Sequence, residues 1–206
     1  MDERTLKFSM SSKVEEAAVP VPVKPMGVGR EGAETGGGER ETHIHYIEGA
    51  LITLMESGDY DVVVHGCNCF CTMGAGVAKV LRRRFPQAYA ADLKTEKGDR
   101  SKLGTFTVAK VQTMCSSPEK KMALRRFAIA NAYIQYRYSS RRQQINYGAL
   151  RHCMRHLNTA FKGSKIRFLM PKIGAGLAGG DWTKIAAIIE NELKGRHVTV
   201  VVWNGK

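Results

Sequence analysis

From His43 onward the chain alternates between two hydrophobic patterns. One is continuous or two-residue and reads as strand, and the other steps by three or four and reads as helix. Strands are predicted at residues 43–47, 61–65, 105–111, 126–132, 166–170 and 198–203. A short helical turn through Leu51, Leu54 and Met55 follows the first strand. Val77, Val80 and Leu81 mark a helix beginning near Gly76, and Arg82, Arg83 and Arg84 at its end suit the helix dipole. Pro86 stops that helix and opens another over residues 87–94. Tyr147, Leu150, Met154, Leu157 and Phe161 form an amphipathic stripe. Asp181 is a suitable N-cap for a helix through Trp182, Ile185, Ile188, Ile189 and Leu193. Strands alternating with helices predict an α/β domain whose sheet is covered on both faces.

Residues 1–42 do not share this patterning. Pro20, Pro22, Pro25 and six glycines fall between positions 20 and 38, and Phe8 is the only aromatic. Such a segment buries too little surface to offset its chain entropy, so it is expected to be a disordered tail before one domain, residues 43–206. The net charge of +13 belongs to that domain, because the tail carries −2. Between Lys79 and Arg167 there are 21 basic and four acidic residues. A field of this sign attracts a polyanion or a diphosphate ligand, or serves solubility alone, and nucleic acid stays open as a partner. No apolar run is long enough for a membrane span and no secretory leader is seen, so the expectation is a soluble, cytoplasmic monomer. Five unevenly spaced cysteines read as reduced thiols.

Two glycine-rich segments each join a strand end to a helix start: residues 65–81, HGCNCFCTMGAGVAKVL, and residues 170–182, MPKIGAGLAGGDW. Loops there can present backbone N–H groups to an anion, with the helix dipole behind them. A single such loop is as readily a tight turn, but a pair suits a diphosphate. Gly174, Gly176 and Gly179 have G-x-G-x-x-G spacing, yet no acidic residue ends the following strand to bind a ribose, so a dinucleotide fold is not indicated. Cys67, Cys69 and Cys71 lack a second ligand pair, so neither a metal nor a cofactor is expected. His65 and Asn68 stand at the strand end that opens the first loop. A histidine there can exchange protons and an asparagine can bond sugar hydroxyls; equally, they can be a satisfied sheet residue and a turn former.

The order of HGCN, glycine loop and helix, then NAYIQY at 131–136, then MPKIGAGLAGGDW resembles the macro domain family. It is most similar to phage-encoded and microbial members described as ADP-ribose-1''-phosphate processing proteins. The resemblance covers residues 43–206 and implies a three-layer α/β/α fold with a mixed sheet and a cleft for ADP-ribose. It puts Gly49, Ala50 and Leu51 at the adenine side and Asn68 at the distal ribose. Gly74, Ala75, Gly76 and Val77 would wrap the distal ribose and phosphate; Ile173, Gly174, Ala175, Gly176 and Leu177 would close over the diphosphate. It also implies catalysis by His65 as general acid or base. Asp92, on the helix that follows the loop helix, is a further candidate for activating water. The family commonly has Asp or Asn where this chain has Ala50. The branch that removes ADP-ribose from glutamate or DNA bases uses a lysine and an aspartate where this chain has Gln135 and Ala178. The expected activity is hydrolysis of ADP-ribose 1''-phosphate to ADP-ribose and phosphate. The alternatives are an ADP-ribosyl hydrolase acting on protein or nucleic acid, and a non-catalytic ADP-ribose-binding module.

Overall fold

The computed structural model describes residues 44–117, 120–138, 143–163 and 165–203; the expected tail lies outside them. The elements run β1 (Ile44–Glu48), α1 (Leu51–Ser57), β2 (Val62–Asn68), α2 (Gly76–Arg84), α3 (Pro86–Leu93), a 3-10 turn (Arg100–Lys102), β3 (Phe106–Ser117) and β4 (Lys120–Gln135). They continue through α4 (Tyr147–Ala160), β5 (Arg167–Pro171), α5 (Trp182–Glu192) and β6 (His197–Val202). The strands form one sheet in the order β1-β6-β5-β2-β4-β3, parallel throughout except for the antiparallel edge pair β3 and β4.

Alternation along the central strands sorts their side chains into two cores. Val62, Val64, Phe168, Met170, Val198 and Val200 pack with Leu150, Met154, Ile185 and Ile189 of α4 and α5. Val63, Leu169, Val201, Ile129 and Tyr133 pack on the other face with Met55, Leu81 and Ala88 of α1, α2 and α3 and with Phe85 between the last two. The fold is therefore a three-layer α/β/α sandwich with a mixed sheet.

The strands predicted at 105–111 and 126–132 are longer than their apolar pattern indicated. They form a hairpin whose register continues from Phe106 opposite Ala132 past Met114 opposite Leu124. The added part is absent from the periodicity because it gains little burial: Met114, Met122 and Leu124 are exposed.

All five parallel strands end on one edge of the sheet. β2 and β5 are neighbours there, but they pair only at Val62–Phe168 and Val63–Leu169, toward their starts. Beyond that point each strand runs on into its own glycine loop, so the two loops rise from adjacent strands at the edge where ligand crevices form in α/β sheets.

Candidate functional site

The first loop, residues 69–75, is held in an unusual backbone conformation by what it buries. Cys71 and Met73 adopt left-handed φ values of 52° and 36°, a conformation that non-glycine residues tolerate only when their surroundings enforce it. Met73 is buried in the core on the face of the sheet that α1, α2 and α3 cover. The Cys71 thiol donates to the Asp92 carbonyl at 3.3 Å. Lys102, fully buried, points its ammonium up from below, bonding the Cys69 carbonyl at 3.1 Å and the Cys71 sulfur at 3.0 Å. The same ammonium lies 3.8 Å from Asp92 Oδ1 and 4.5 Å from the centre of the Tyr133 ring. This strut has no signature in hydrophobic periodicity, because a lysine in the KLGT turn reads as an exposed charge.

Above the strut, α2 begins at Gly76. Its N-cap is Ala75, with φ −143° and ψ 164°, no side-chain cap and no acidic residue in the first turn. The first N–H groups of a helix have no intrahelical acceptor, so those of Gly76, Val77 and Ala78 present partial positive charge. Asn68, at the end of β2, accepts from the Phe70 amide at 2.8 Å and donates to Thr72 Oγ1 at 2.8 Å. These bonds make it a turn former, and they leave its amide one further hydrogen and one further lone pair, a set that matches a sugar hydroxyl.

The second loop, residues 172–181, folds back on itself through Gly180 N to Gly174 O at 2.9 Å and Gly179 N to Gly176 O at 2.9 Å. Gly174 has φ +75°, and a Cβ there would come within 2.4 Å of Ile145, so this turn admits no side chain. Asp181 caps α5, accepting from Thr183 N at 2.9 Å. The two loops meet. A Cβ on Gly76 would lie 3.3 Å from Leu177 Cδ1, whereas one on Gly176 would meet nothing within 4 Å. The first and second loops thus approach each other at Gly76 and Leu177, with open space over Gly176.

Gly49, Ala50 and Leu51 turn the chain from β1 into α1 on the same edge, with Gly49 N donating to Val202 O at 3.2 Å. Strand β6 separates this turn from the second loop, and Trp203, 73% exposed, follows β6. Sequence reasoning placed Trp203 only at a strand end; its signal was an aromatic following the last parallel strand.

Two residues expected to act as acids or bases lie elsewhere. His65 is fully buried on the α3 face of the sheet. Asn131 Nδ2 donates to the Ala88 carbonyl at 2.8 Å and to Thr107 Oγ1 at 2.9 Å. Its Oδ1 must then accept, 2.7 Å away, from His65 Nε2, which fixes the tautomer. Burial lowers the ring to about 4, against smaller opposing contributions from Asn131 and the Gly66 backbone. A neutral, enclosed imidazole has no route to exchange protons with a ligand, so the geometry gives no support to an acid–base role. Asp92 is also buried; its Oδ1 accepts from Tyr133 OH at 2.8 Å. Burial raises its pKa, opposed by the Tyr133 hydrogen bond and by Lys102. It supports the first loop from within the core and is not exposed as a base. Cys67 and Cys69 are buried thiols, with burial pushing Cys69 up to about 11 and Cys67 well above its ordinary value. No group of three or more metal-binding side chains occurs among the described residues.

The buried imidazole has a measurable consequence. Unfolded, a histidine titrates near 6.5; here it titrates near 4, so between these values the unfolded chain binds the extra proton. Stability at neutral pH should therefore fall on acidification through this window, by about 3 kcal/mol from this group. Asp92, with a raised pKa, contributes in the opposite direction. Urea denaturation across pH 4–7 should show a shallower acid loss in His65→Gln, which keeps an N–H donor and cannot titrate. An identical pH profile would contradict the assignment.

Parallel strand ends carrying two opposed glycine loops, one backed by an uncapped helix, define an α/β/α module suited to a phosphate-bearing ligand. Comparison with known proteins gives the family. The family profile described as the macro domain matches residues 64–189, and the chain belongs to the macro domain family, a family of ADP-ribose-binding modules. It is 34% identical over 163 residues to an uncharacterized 17.5 kDa protein in the tk-vs intergenic region of Enterobacteria phage T4, covering 78% of this chain and 96% of that protein. It is 28% identical over 178 residues to an ADP-ribose 1''-phosphate phosphatase of Debaryomyces hansenii, covering 77% of this chain and 98% of that one. Its fold is similar to Thermosipho africanus DarTG in complex with ADP-ribose, with a TM-score of 0.56 and 14% identity, across 80% of this chain and 43% of that one. No helix among the described residues is long and apolar enough to cross a membrane.

Proposed function

We propose that this macro domain hydrolyses ADP-ribose 1''-phosphate to ADP-ribose and inorganic phosphate. The observation that carries the reading is the approach of Leu177 to Gly76, which brings the two glycine loops together at the ends of adjacent strands. The likeness to a phosphatase along nearly the whole of that relative's length points the same way. In this reading the diphosphate lies between Gly174–Leu177 and the first loop, and the distal ribose meets the spare hydrogen and lone pair of Asn68. Gly74, Ala75, Gly76 and Val77 hold the terminal phosphate. Ala50 offers no polar side chain to adenine, so the Gly49–Leu51 turn contributes backbone only and the ring stacks on the exposed Trp203.

Water attacks phosphorus, the bond from phosphorus to the 1'' oxygen breaks, and that oxygen leaves as the hydroxyl of ADP-ribose, receiving a proton from the attacking water. Such transfers depend mainly on positioning and on stabilising charge on the phosphoryl oxygens, which uncapped helix amides supply. No step passes through His65 or Asp92.

The burial of both those groups favours a second reading, an ADP-ribose-binding module without turnover. Phosphate detection with ADP-ribose 1''-phosphate, beside calorimetry with ADP-ribose, separates the two. Phosphate release at a rate proportional to enzyme supports hydrolysis; tight binding with no release supports the module. Release of ADP-ribose from modified protein or DNA would replace both with a glycosidic hydrolase, despite Gln135 and Ala178.

A further inference from the structure

Beneath the first loop lies a set of reactive groups that phosphate chemistry does not use. Lys102 Nζ donates to the Cys71 sulfur at 3.0 Å, and both side chains are buried. The lysine's bond to the Cys69 carbonyl already braces the loop, so its contact with a sulfur is an additional feature. That sulfur is held from elsewhere by the Asp92 carbonyl at 3.3 Å and by Thr95 Oγ1 at 3.4 Å. Asp92 Oδ1 lies 3.8 Å from the same ammonium and accepts from Tyr133 OH, but Oδ2 is buried with no hydrogen-bond partner among the described residues. The other buried thiols differ. Burial pushes Cys69 up to about 11 and raises Cys67 and Cys153 as well, which keeps them protonated and slow to oxidise.

We propose that Cys71 and Lys102 are a redox modification site, joined by a reversible sulfur–nitrogen bond when hydrogen peroxide oxidises the thiol. A sulfenic acid condenses with a neighbouring thiol or nitrogen, and here the atom already touching the sulfur is a nitrogen. Peroxide places one oxygen on the Cys71 sulfur, so that S–H becomes S–OH and the other peroxide oxygen leaves as water. The Lys102 ammonium gives one proton to the Asp92 carboxylate, whose Oδ2 is free to hold it. The neutral amine then attacks sulfur: the N–S bond forms, the S–O bond breaks, and the departing hydroxide takes a second proton from the nitrogen and leaves as water. Sulfur is oxidised, peroxide is reduced, and a buried ion pair becomes a neutral amide-like link beside a neutral carboxyl. Excess thiol reverses the step by attacking sulfur and releasing the amine. On the reading above, the link also bears on the ligand. Drawing Cys71 from contact to bonding distance pulls the adjoining Thr72, whose Oγ1 orients the Asn68 amide at 2.8 Å.

The test treats the full chain with hydrogen peroxide and maps its tryptic peptides. Peptide 41–79 should appear joined to peptide 101–110 through Cys71 and Lys102, lighter than the two together by the hydrogens the reaction removes, and it should separate in dithiothreitol. The bond closes a span of 31 residues, so the Tm should rise by about 10 °C and return on reduction. Cys115→Ser should still link. Lys102→Arg, which keeps the cation but cannot form the bond, should instead carry Cys71 onward to sulfinic acid. A disulfide from Cys71 to Cys67 or Cys69, normal cleavage at Lys102 with Cys71 over-oxidised in the unsubstituted chain, or an unreacted Cys71 would each overturn the proposal; these readings need no variant to fold. Calorimetry of the reduced and linked proteins should show about tenfold weaker ADP-ribose binding after linkage, the scale of one hydrogen bond. Unchanged affinity in fully linked protein would overturn the coupling to the ligand. If the reduced chain does not bind ADP-ribose, the ADP-ribose reading fails, while the peptide map and the Tm still decide the bond.

Discussion

Replacing Lys102 by methionine should cost about 3–5 kcal/mol of stability, the typical loss when one member of a buried ion pair is removed. Methionine fills nearly the same volume but removes the bonds to Cys69 O and Cys71 Sγ and strands the buried Asp92 carboxyl. Against a total of 5–15 kcal/mol for ordinary domains this is a large fraction, and it corresponds to a fall in Tm of roughly 10 °C. The loss should be smaller at pH 5 than at pH 8. Burial already raises the Asp92 pKa and Lys102 opposes that, so without the lysine the carboxyl relaxes by taking up a proton. Urea denaturation of the two proteins at both pH values checks this. A loss below about 1 kcal/mol, or one independent of pH, would show that the strut does not hold the first loop.

Ala75→Asp should move stability and binding in opposite directions. Ala75 already has the extended backbone of an N-cap, so an aspartate there can accept from the first-turn amides of α2 and should add about 1 kcal/mol. The same amides are the ones proposed to hold a phosphate. Occupied by a fixed carboxylate, they should lose ADP-ribose affinity by roughly a hundredfold, since charge-assisted hydrogen bonds are lost and like charges face each other. Ala75→Ser, a neutral cap, should raise Tm similarly and weaken binding less. Thermal melts and calorimetry on the three proteins read both effects; a raised Tm with unchanged affinity would remove α2 from the site.

The elements that bury one clean face were legible in the sequence. Val62, Val63 and Val64 read as a strand, the stripe from Tyr147 to Phe161 as a helix, and Asp181 as a cap, and each is found so. The two glycine loops were legible as strand-to-helix turns, although their approach through Gly76 and Leu177 is tertiary and leaves no local trace. The extension of β3 and β4 was not legible, because an exposed hairpin has no apolar alternation to show. His65 misled for a physical reason. Its position at a strand end suggested access to solvent, but its side-chain parity turned it into the core under α3, where Asn131 satisfies it. Lys102 escaped notice, and the burial of Asp92 with it, because charge in a sequence reads as surface, and only the fold shows two opposite charges buried under one loop.

The central claim is that the amides of both glycine loops engage one diphosphate. Amide chemical shifts of the isotopically labelled chain, followed during titration with ADP-ribose, test it directly. The expected result is that Gly76, Val77, Gly176 and Leu177 shift together along a single one-site isotherm. Shifts confined to one loop, or isotherms with different midpoints for the two loops, would contradict it.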